Sequence, residues 1–384
     1  MSFLSEKSKG TPSSVIREFV GLSYKYDQVL SFGFGQPDFV TPRHILDAAS
    51  ASIQRGETFY APNTGILPLR EAISNSYAKR GLPYSPDEIL VGSGAISVLL
   101  LAATAVLDIG DEMIISDPCY ASYDSLAIQL GAVPVRVRVT EENGFMFDPE
   151  DVRAAITDKT KVLLLNSPSN PTGGVATREN LEALAKLCIE KDIYVITDEI
   201  YRELLWTDEP YVSIAEFPGM RERTMIIDGF SKTYAMTGLR LGYAVGPREV
   251  IVKMTQLLEN VLSSVFTAVQ WAGVAALTES QDCVKEMMDL YRHRRKLLLE
   301  GINDIDGISC KDPKGAFYLF ANIQSTGLDS RTFATKLLEQ EKMLVIPGVG
   351  FGPGGEGFVR FCYATNDENI NEGIQRLRRF MKTL

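Results

Sequence analysis

Histidine is nearly missing from this 384-residue chain, which holds only His44 and His293. Two isolated histidines, best read as surface or capping residues, leave proton transfer to other side chains and argue against a structural zinc site or any other metal centre. Cysteine is sparse as well. Cys119, Cys188, Cys283, Cys310 and Cys362 are odd in number and widely spaced, the pattern of reduced thiols and not of a disulfide framework. A basic excess is absent: 39 Lys and Arg face 49 Asp and Glu, for a net charge of −10, which excludes a nucleic-acid partner reached through a cationic face. No apolar run is long enough to cross a membrane. The longest, around Val98 to Leu107, reads as a buried helix. The opening Met1-Ser2-Phe3-Leu4-Ser5-Glu6-Lys7 lacks the apolar core of a signal peptide, so the expected location is the cytoplasm, with no membrane partner. Internal repeats and low-complexity tracts are absent too.

What is present is an ordinary globular composition, 45% hydrophobic and 23% charged, on a chain long enough for two domains. Glu112–Ser116, Val133–Val139, Lys161–Leu165, Ile193–Thr197 and Thr224–Asp228 read as β-strands. Between the third and fourth, Glu179–Leu187 repeats its apolar residues at helical spacing. This alternation predicts an α/β fold with a mostly parallel sheet covered by helices, whose ligand sits beyond the carboxyl ends of the strands. Past a long helix near Asp282–Gly301, a strand-like run Gly315–Phe320, a helix near Thr332–Glu341, a strand Phe358–Tyr363 and a final helix from Asp367 predict a smaller α+β domain.

Five segments carry chemistry. Ser231-Lys232-Thr233 follows the strand Thr224–Asp228, and Arg240 lies a short turn beyond. A lysine at a strand end can form a Schiff base with an aldehyde, and a nearby arginine can hold a phosphate. Pyridoxal phosphate carries both groups, although the segment alone also fits a surface turn. Val91–Ser97, with Gly92 and Gly94, opens the apolar helix with free N–H groups suited to a phosphate, and it lacks the GxGxxG of nicotinamide binders. Asn166–Gly173 places Asn170 after a strand, where a plain Asn-Pro turn is the alternative. Asp198 in Thr197–Tyr201 ends the strand before Lys232 and can either cap a helix or protonate a pyridine nitrogen. Arg360, between Phe358 and Cys362 on one strand face, reads as a buried fork for a carboxylate.

Taken together with Gly35-Gln36-Pro37-Asp38-Phe39 and Phe59-Tyr60-Ala61-Pro62-Asn63, these segments occur in an order that resembles the fold-type I, class I/II aminotransferases. The likeness runs from about Ile16 to the end, in the branch of aspartate and aromatic aminotransferases. It implies a large domain over residues 46–280 around a seven-stranded sheet, and a small domain over 281–384 joined by residues 1–45. It implies pyridoxal 5′-phosphate as cofactor, with Lys232 as the Schiff-base lysine and proton shuttle and Asp198 on the ring nitrogen. Tyr201 and Asn170 would hold the 3-oxygen, and Tyr120 would stack on the ring. Gly94, Ala95, Ile96 and Arg240 would hold the phosphate, with Ser231 as a substitute where the family often has a serine in place of Gly229. Tyr60 would reach the phosphate of a neighbouring subunit in a homodimer with shared active sites. Arg360, Asn170 and the Gly35 backbone would bind the substrate carboxylate. The implied activity is ping-pong transfer of an amino group from an L-amino acid, aromatic or broadly neutral before aspartate, to a 2-oxo acid such as 2-oxoglutarate. A C–S β-lyase on the same fold is the alternative, and behind it a regulatory protein without turnover; regulators of that kind carry an extra DNA-binding domain, which is not expected before Ile16. The segment around Pro12–Ile16 is expected to close over the pocket.

Overall fold

The computed structural model describes residues 3–11 and 13–384, so the Pro12 end of the expected lid lies outside the described residues. Among the described residues, twelve strands form three sheets. The large one contains β2 (Ile89–Gly92), β3 (Glu112–Asp117), β4 (Val133–Arg138), β5 (Thr160–Asn166), β6 (Tyr194–Asp198), β7 (Thr224–Gly229) and β8 (Gly242–Val245), in the order β2-β8-β7-β6-β5-β3-β4. All its pairings are parallel except those of β8, which runs antiparallel to both β2 and β7.

Both faces of this sheet are buried, which the strand sequences require because they are apolar at consecutive positions. In β5, Val162 and Leu164 enter one core cluster while Leu163 and Leu165 enter another. In β7, Met225 and Ile227 face one side and Ile226 the other. The apolar helix Ala95–Val106 supplies Val98, Leu99, Ala102 and Ala103 to the cluster that also receives Ile196 and Ile227.

The remaining strands are β1 (Leu30–Ser31), β9 (Tyr318–Asn322), β10 (Met343–Leu344), β11 (Ile346–Pro347) and β12 (Phe358–Cys362). β11, β12 and β9 make an antiparallel sheet, and β1 pairs in parallel with β10, which ties the early chain to the late chain. The helix Val15–Ser23 begins against the loop after β11, where a Cβ on Gly350 would lie 3.1 Å from Val15 Cβ.

Two details differ from the sequence reading. The strand expected from Gly315 starts at Tyr318, because Ala316 takes a positive φ of 56° that breaks the extended run. The short strands β2 and β8 had not been assigned at all. Each has four residues and a glycine at one end, too little pattern to separate from a turn.

Candidate active site

β5, β6 and β7 are neighbours and parallel, so their carboxyl ends open on the same side of the sheet. Asn166 at the end of β5 is paired with Asp198 at the end of β6, and the turn after β7 carries Lys232. The Lys232 amine donates to the Gly35 carbonyl oxygen at 2.7 Å and lies 5.8 and 5.7 Å from the ring centres of Tyr201 and Phe317. Burial is the main force on this amine, pushing it from 10.5 down to about 8. The charges of Arg360 and Arg240 act in the same direction, and Asp198 opposes them.

Asp198 is buried, and its carboxyl is pushed up to about 6 by that burial against the pull of two hydrogen bonds. Tyr123 donates its hydroxyl to Oδ2 at 2.8 Å, and the Ile200 N–H donates to Oδ1 at 3.2 Å. Asn166 braces the same corner, donating to the Asp198 carbonyl at 3.0 Å and accepting from the Asn170 N–H at 2.9 Å. The next residue, Glu199, points away from Lys232 into a fully buried pocket, where Ser213 donates to it at 2.6 Å and Arg80 stands 3.7 Å away.

Arg360 is almost wholly enclosed on β12. Its guanidinium carbon lies 4.5 Å from the ring centre of Tyr318 and 4.8 Å from that of Phe351. It donates through Nη1 to Asn170 Oδ1 at 3.0 Å and through Nη2 to the Gly33 carbonyl at 2.6 Å, which leaves the buried Nε without a partner. Tyr201 is buried, and its hydroxyl meets that of Tyr318 at 2.7 Å. Gly35 has to be glycine here, since a Cβ would fall 2.3 Å from the Tyr318 hydroxyl.

A second cluster surrounds the start of the helix Ala95–Val106. Gly94 takes a φ of 81° at its N-cap with no side-chain cap, so the first N–H groups, those of Ala95 and Ile96 among them, have no partner within the helix. A Cβ on Gly94 would sit 2.5 Å from Nη2 of Arg240, whose other nitrogen is anchored on the Thr237 carbonyl at 2.8 Å. Arg240 shares an open cavity of about 710 Å³ with Ser93, Phe59, Tyr60 and Phe266, and Tyr60 itself is 88% exposed. Ser231 is buried beside Lys232. Tyr120 is half-buried, its ring edge-on to Tyr123 with centres 5.6 Å apart.

The fold therefore gathers Lys232, Gly35, Asp198, Tyr201, Asn170 and Arg360 beyond the carboxyl ends of β5, β6 and β7 through a chain of contacts, and sets Gly94, Ala95, Ile96 and Arg240 together at the start of the helix Ala95–Val106. Tyr123, Asn166, Tyr318 and Phe351 are contacts the sequence reading missed. The available signals were slight: Tyr123 lies one helical turn past Tyr120, and Asn166 lies four residues before Asn170.

A lysine amine held near neutrality beside a buried arginine fork is the layout of an enzyme that handles amino acids through a carbonyl cofactor. The chain belongs to the class I and II aminotransferases, the family that matches residues 27–377. It is 39% identical over 383 residues to the aspartate aminotransferase of Pyrococcus horikoshii, covering 99% of this chain and 97% of that one. The crystal structure of an aromatic aminotransferase from Pyrococcus horikoshii superposes with a TM-score of 0.91 at 39% identity, covering 96% of this chain and 99% of the other. The aspartate aminotransferase of Thermus thermophilus, solved with maleate, gives a TM-score of 0.94 at 38% identity over 99% of this chain and 100% of that one. This chain is accordingly an amino-acid transaminase of fold type I. Members of the family use pyridoxal 5′-phosphate. The residues present fit that group: a depressed lysine amine, a buried carboxyl hydrogen-bonded by Tyr123, and an uncapped helix start beside an arginine.

Proposed function

We propose that the enzyme transfers the amino group of aromatic or broadly neutral L-amino acids, and of aspartate less readily, to 2-oxoglutarate in two half-reactions. The observation that carries the substrate preference is the aromatic packing around Arg360, by Tyr318 and Phe351. When bound, the cofactor supplies an aldehyde for the amino group and a ring that takes up the electron pair left at the substrate Cα. Lys232 would hold the cofactor through its amine and would carry the proton to and from the substrate Cα. Asp198, oriented by the Tyr123 hydroxyl, would face the ring nitrogen and keep it protonated. Tyr201 and Asn170 would hold the 3-oxygen, and Tyr120 would cover the ring face. The backbone turn at Gly94 with the N–H groups of Ala95 and Ile96 would hold the phosphate with Arg240, and Ser231 would add a hydroxyl. Arg360 and Asn170 fix the substrate carboxylate next to Gly35, which orients the Cα–H bond for transfer.

The exposed Tyr60 beside the Arg240 cavity supports a homodimer in which Tyr60 completes the phosphate site of a second copy. The pairing of β1 with β10 supports a small domain of residues 1–45 and 281–384 against a large domain of residues 46–280. Among the described residues no helix is long and apolar enough to cross a membrane, in keeping with a cytoplasmic enzyme.

The test is an absorbance titration of the purified protein loaded with pyridoxal phosphate. Phenylalanine or tyrosine, added without an acceptor, is expected to convert the lysine-bound yellow form faster than aspartate, and 2-oxoglutarate to restore it. Fastest conversion by aspartate overturns the preference. Pyruvate, ammonia and a thiol released from an added cysteine S-conjugate without any acceptor overturn transamination in favour of β-elimination.

A further inference from the structure

Two phenols meet in the floor of the cleft, and only one of them was assigned a role. Tyr201 and Tyr318 are both buried, at 4% and 1% exposure, with hydroxyl oxygens 2.7 Å apart and rings edge-on at 5.7 Å. Each hydroxyl has one proton to give and two lone pairs to accept with. Burial pushes both phenols up, so both keep their protons throughout the working range. One proton is used in the bond between them, and the other points outward. Which phenol gives it is therefore a functional choice.

The surroundings favour one direction. The Arg360 guanidinium lies 4.5 Å from the Tyr318 ring centre, closer than the Lys232 amine lies to the Tyr201 ring at 5.8 Å, so Tyr318 is the more strongly polarised donor. Its hydroxyl is pressed against Gly35, where even a Cβ would come within 2.3 Å. Tyr201 borders the Lys232 amine. We propose that Tyr318 is a positioning residue that donates to Tyr201, so that the Tyr201 proton is free and polarised for the 3-oxygen of the bound cofactor. A donor that is itself hydrogen-bonded at oxygen gives a stronger hydrogen bond. Tyr318 also packs on Arg360, so the carboxylate-binding fork and the 3-oxygen donor rest on one side chain.

This rests on the reading of Lys232 and Tyr201 above, and the experiment separates the two. A stronger donor on the 3-oxygen stabilises its anion and lowers the pH at which the lysine–cofactor chromophore loses its proton. The Tyr318→Phe variant keeps the ring on Arg360 and deletes only the hydroxyl. Its chromophore is expected to titrate at higher pH than wild type by about half a unit, on the scale of one neutral hydrogen bond. In a Tyr201→Phe background, Tyr318→Phe is expected to shift nothing further, because its route is gone. Equal titration of Tyr318→Phe and wild type overturns the proposal, as does an additive shift in the double variant. Failure of Tyr318→Phe to fold, judged by melting of the apoprotein, would make the hydroxyl a structural one and overturn it equally. If wild type forms no lysine-bound chromophore, it is the reading of Lys232 that falls.

Discussion

A lysine that must attack an aldehyde has to be neutral, and enclosure moves Lys232 toward that condition before any ligand arrives. Lys232 is placed where burial, helped by the charges of Arg360 and Arg240, outweighs the attraction of Asp198 and pushes its amine to about 8. The sign follows directly. Below that value the amine is protonated and has no lone pair to attack with, and the reactive fraction falls tenfold per pH unit. The rate at which pyridoxal phosphate attaches to the apoprotein, followed by its yellow absorbance, is expected to rise from pH 6 and level off just above pH 8. An ordinary lysine would go on gaining past pH 10, and such a curve would remove the depressed amine from the account. The residues proposed for this chemistry were legible because Lys232, Asn170, Asp198 and Tyr201 lie at or just past a strand end and Arg360 interrupts an apolar strand. Tyr318 and Tyr123 were not, since their contacts span 117 and 75 positions and lie between side chains with no local pattern.

Among the elements, the close approach of β8 to the start of the helix Ala95–Val106 sets the phosphate turn. Gly229 of β7 pairs with Gly242 of β8, and neither has room for a side chain. A Cβ on Gly229 would meet Gly242 Cα at 3.0 Å and the Leu241 carbonyl oxygen at 3.1 Å, so a side chain there would require the neighbouring backbone to give by a few tenths of an ångström. A Cβ on Gly242 would fall 2.3 Å from the Ala95 nitrogen and 2.5 Å from the Gly94 carbonyl carbon, both backbone atoms that cannot swing aside. Gly242→Ala is expected to lower stability in urea by about 1–3 kcal/mol and to weaken cofactor binding, because it displaces the N–H groups proposed to hold the phosphate. Gly238, with nothing within 4 Å of its would-be Cβ, is the control: Gly238→Ala should stay within about 0.5 kcal/mol. Equal effects at both positions would show that backbone freedom matters here and close packing does not. The long β-branched strands of the sheet could be read from sequence, whereas β2 and β8 depend on this tertiary packing and could not.

At the scale of the whole molecule, the phosphate site opens onto an apolar surface. Phe59, Tyr60, Val261 and Phe266 are 86%, 88%, 76% and 51% exposed, and three of them line the cavity that holds Arg240. Exposed apolar side chains concentrated around a polar pocket mark a surface that another protein covers. A second copy of this chain is the occupant that also gives Tyr60 something to bind. Phe266→Asp would place an unpaired charge in that contact, a change that costs several kcal/mol when the partner surface buries it. Sedimentation is expected to show a dimer for wild type and a monomer for Phe266→Asp, with cofactor affinity reduced at least about tenfold, the loss of roughly 1.4 kcal/mol. Tyr60→Phe separates the two effects, since it should weaken cofactor binding and leave the dimer intact. A wild-type monomer that binds pyridoxal phosphate fully, or a Phe266→Asp dimer with unchanged affinity, would mean that the phosphate site is complete within one chain and that the apolar face serves some other contact.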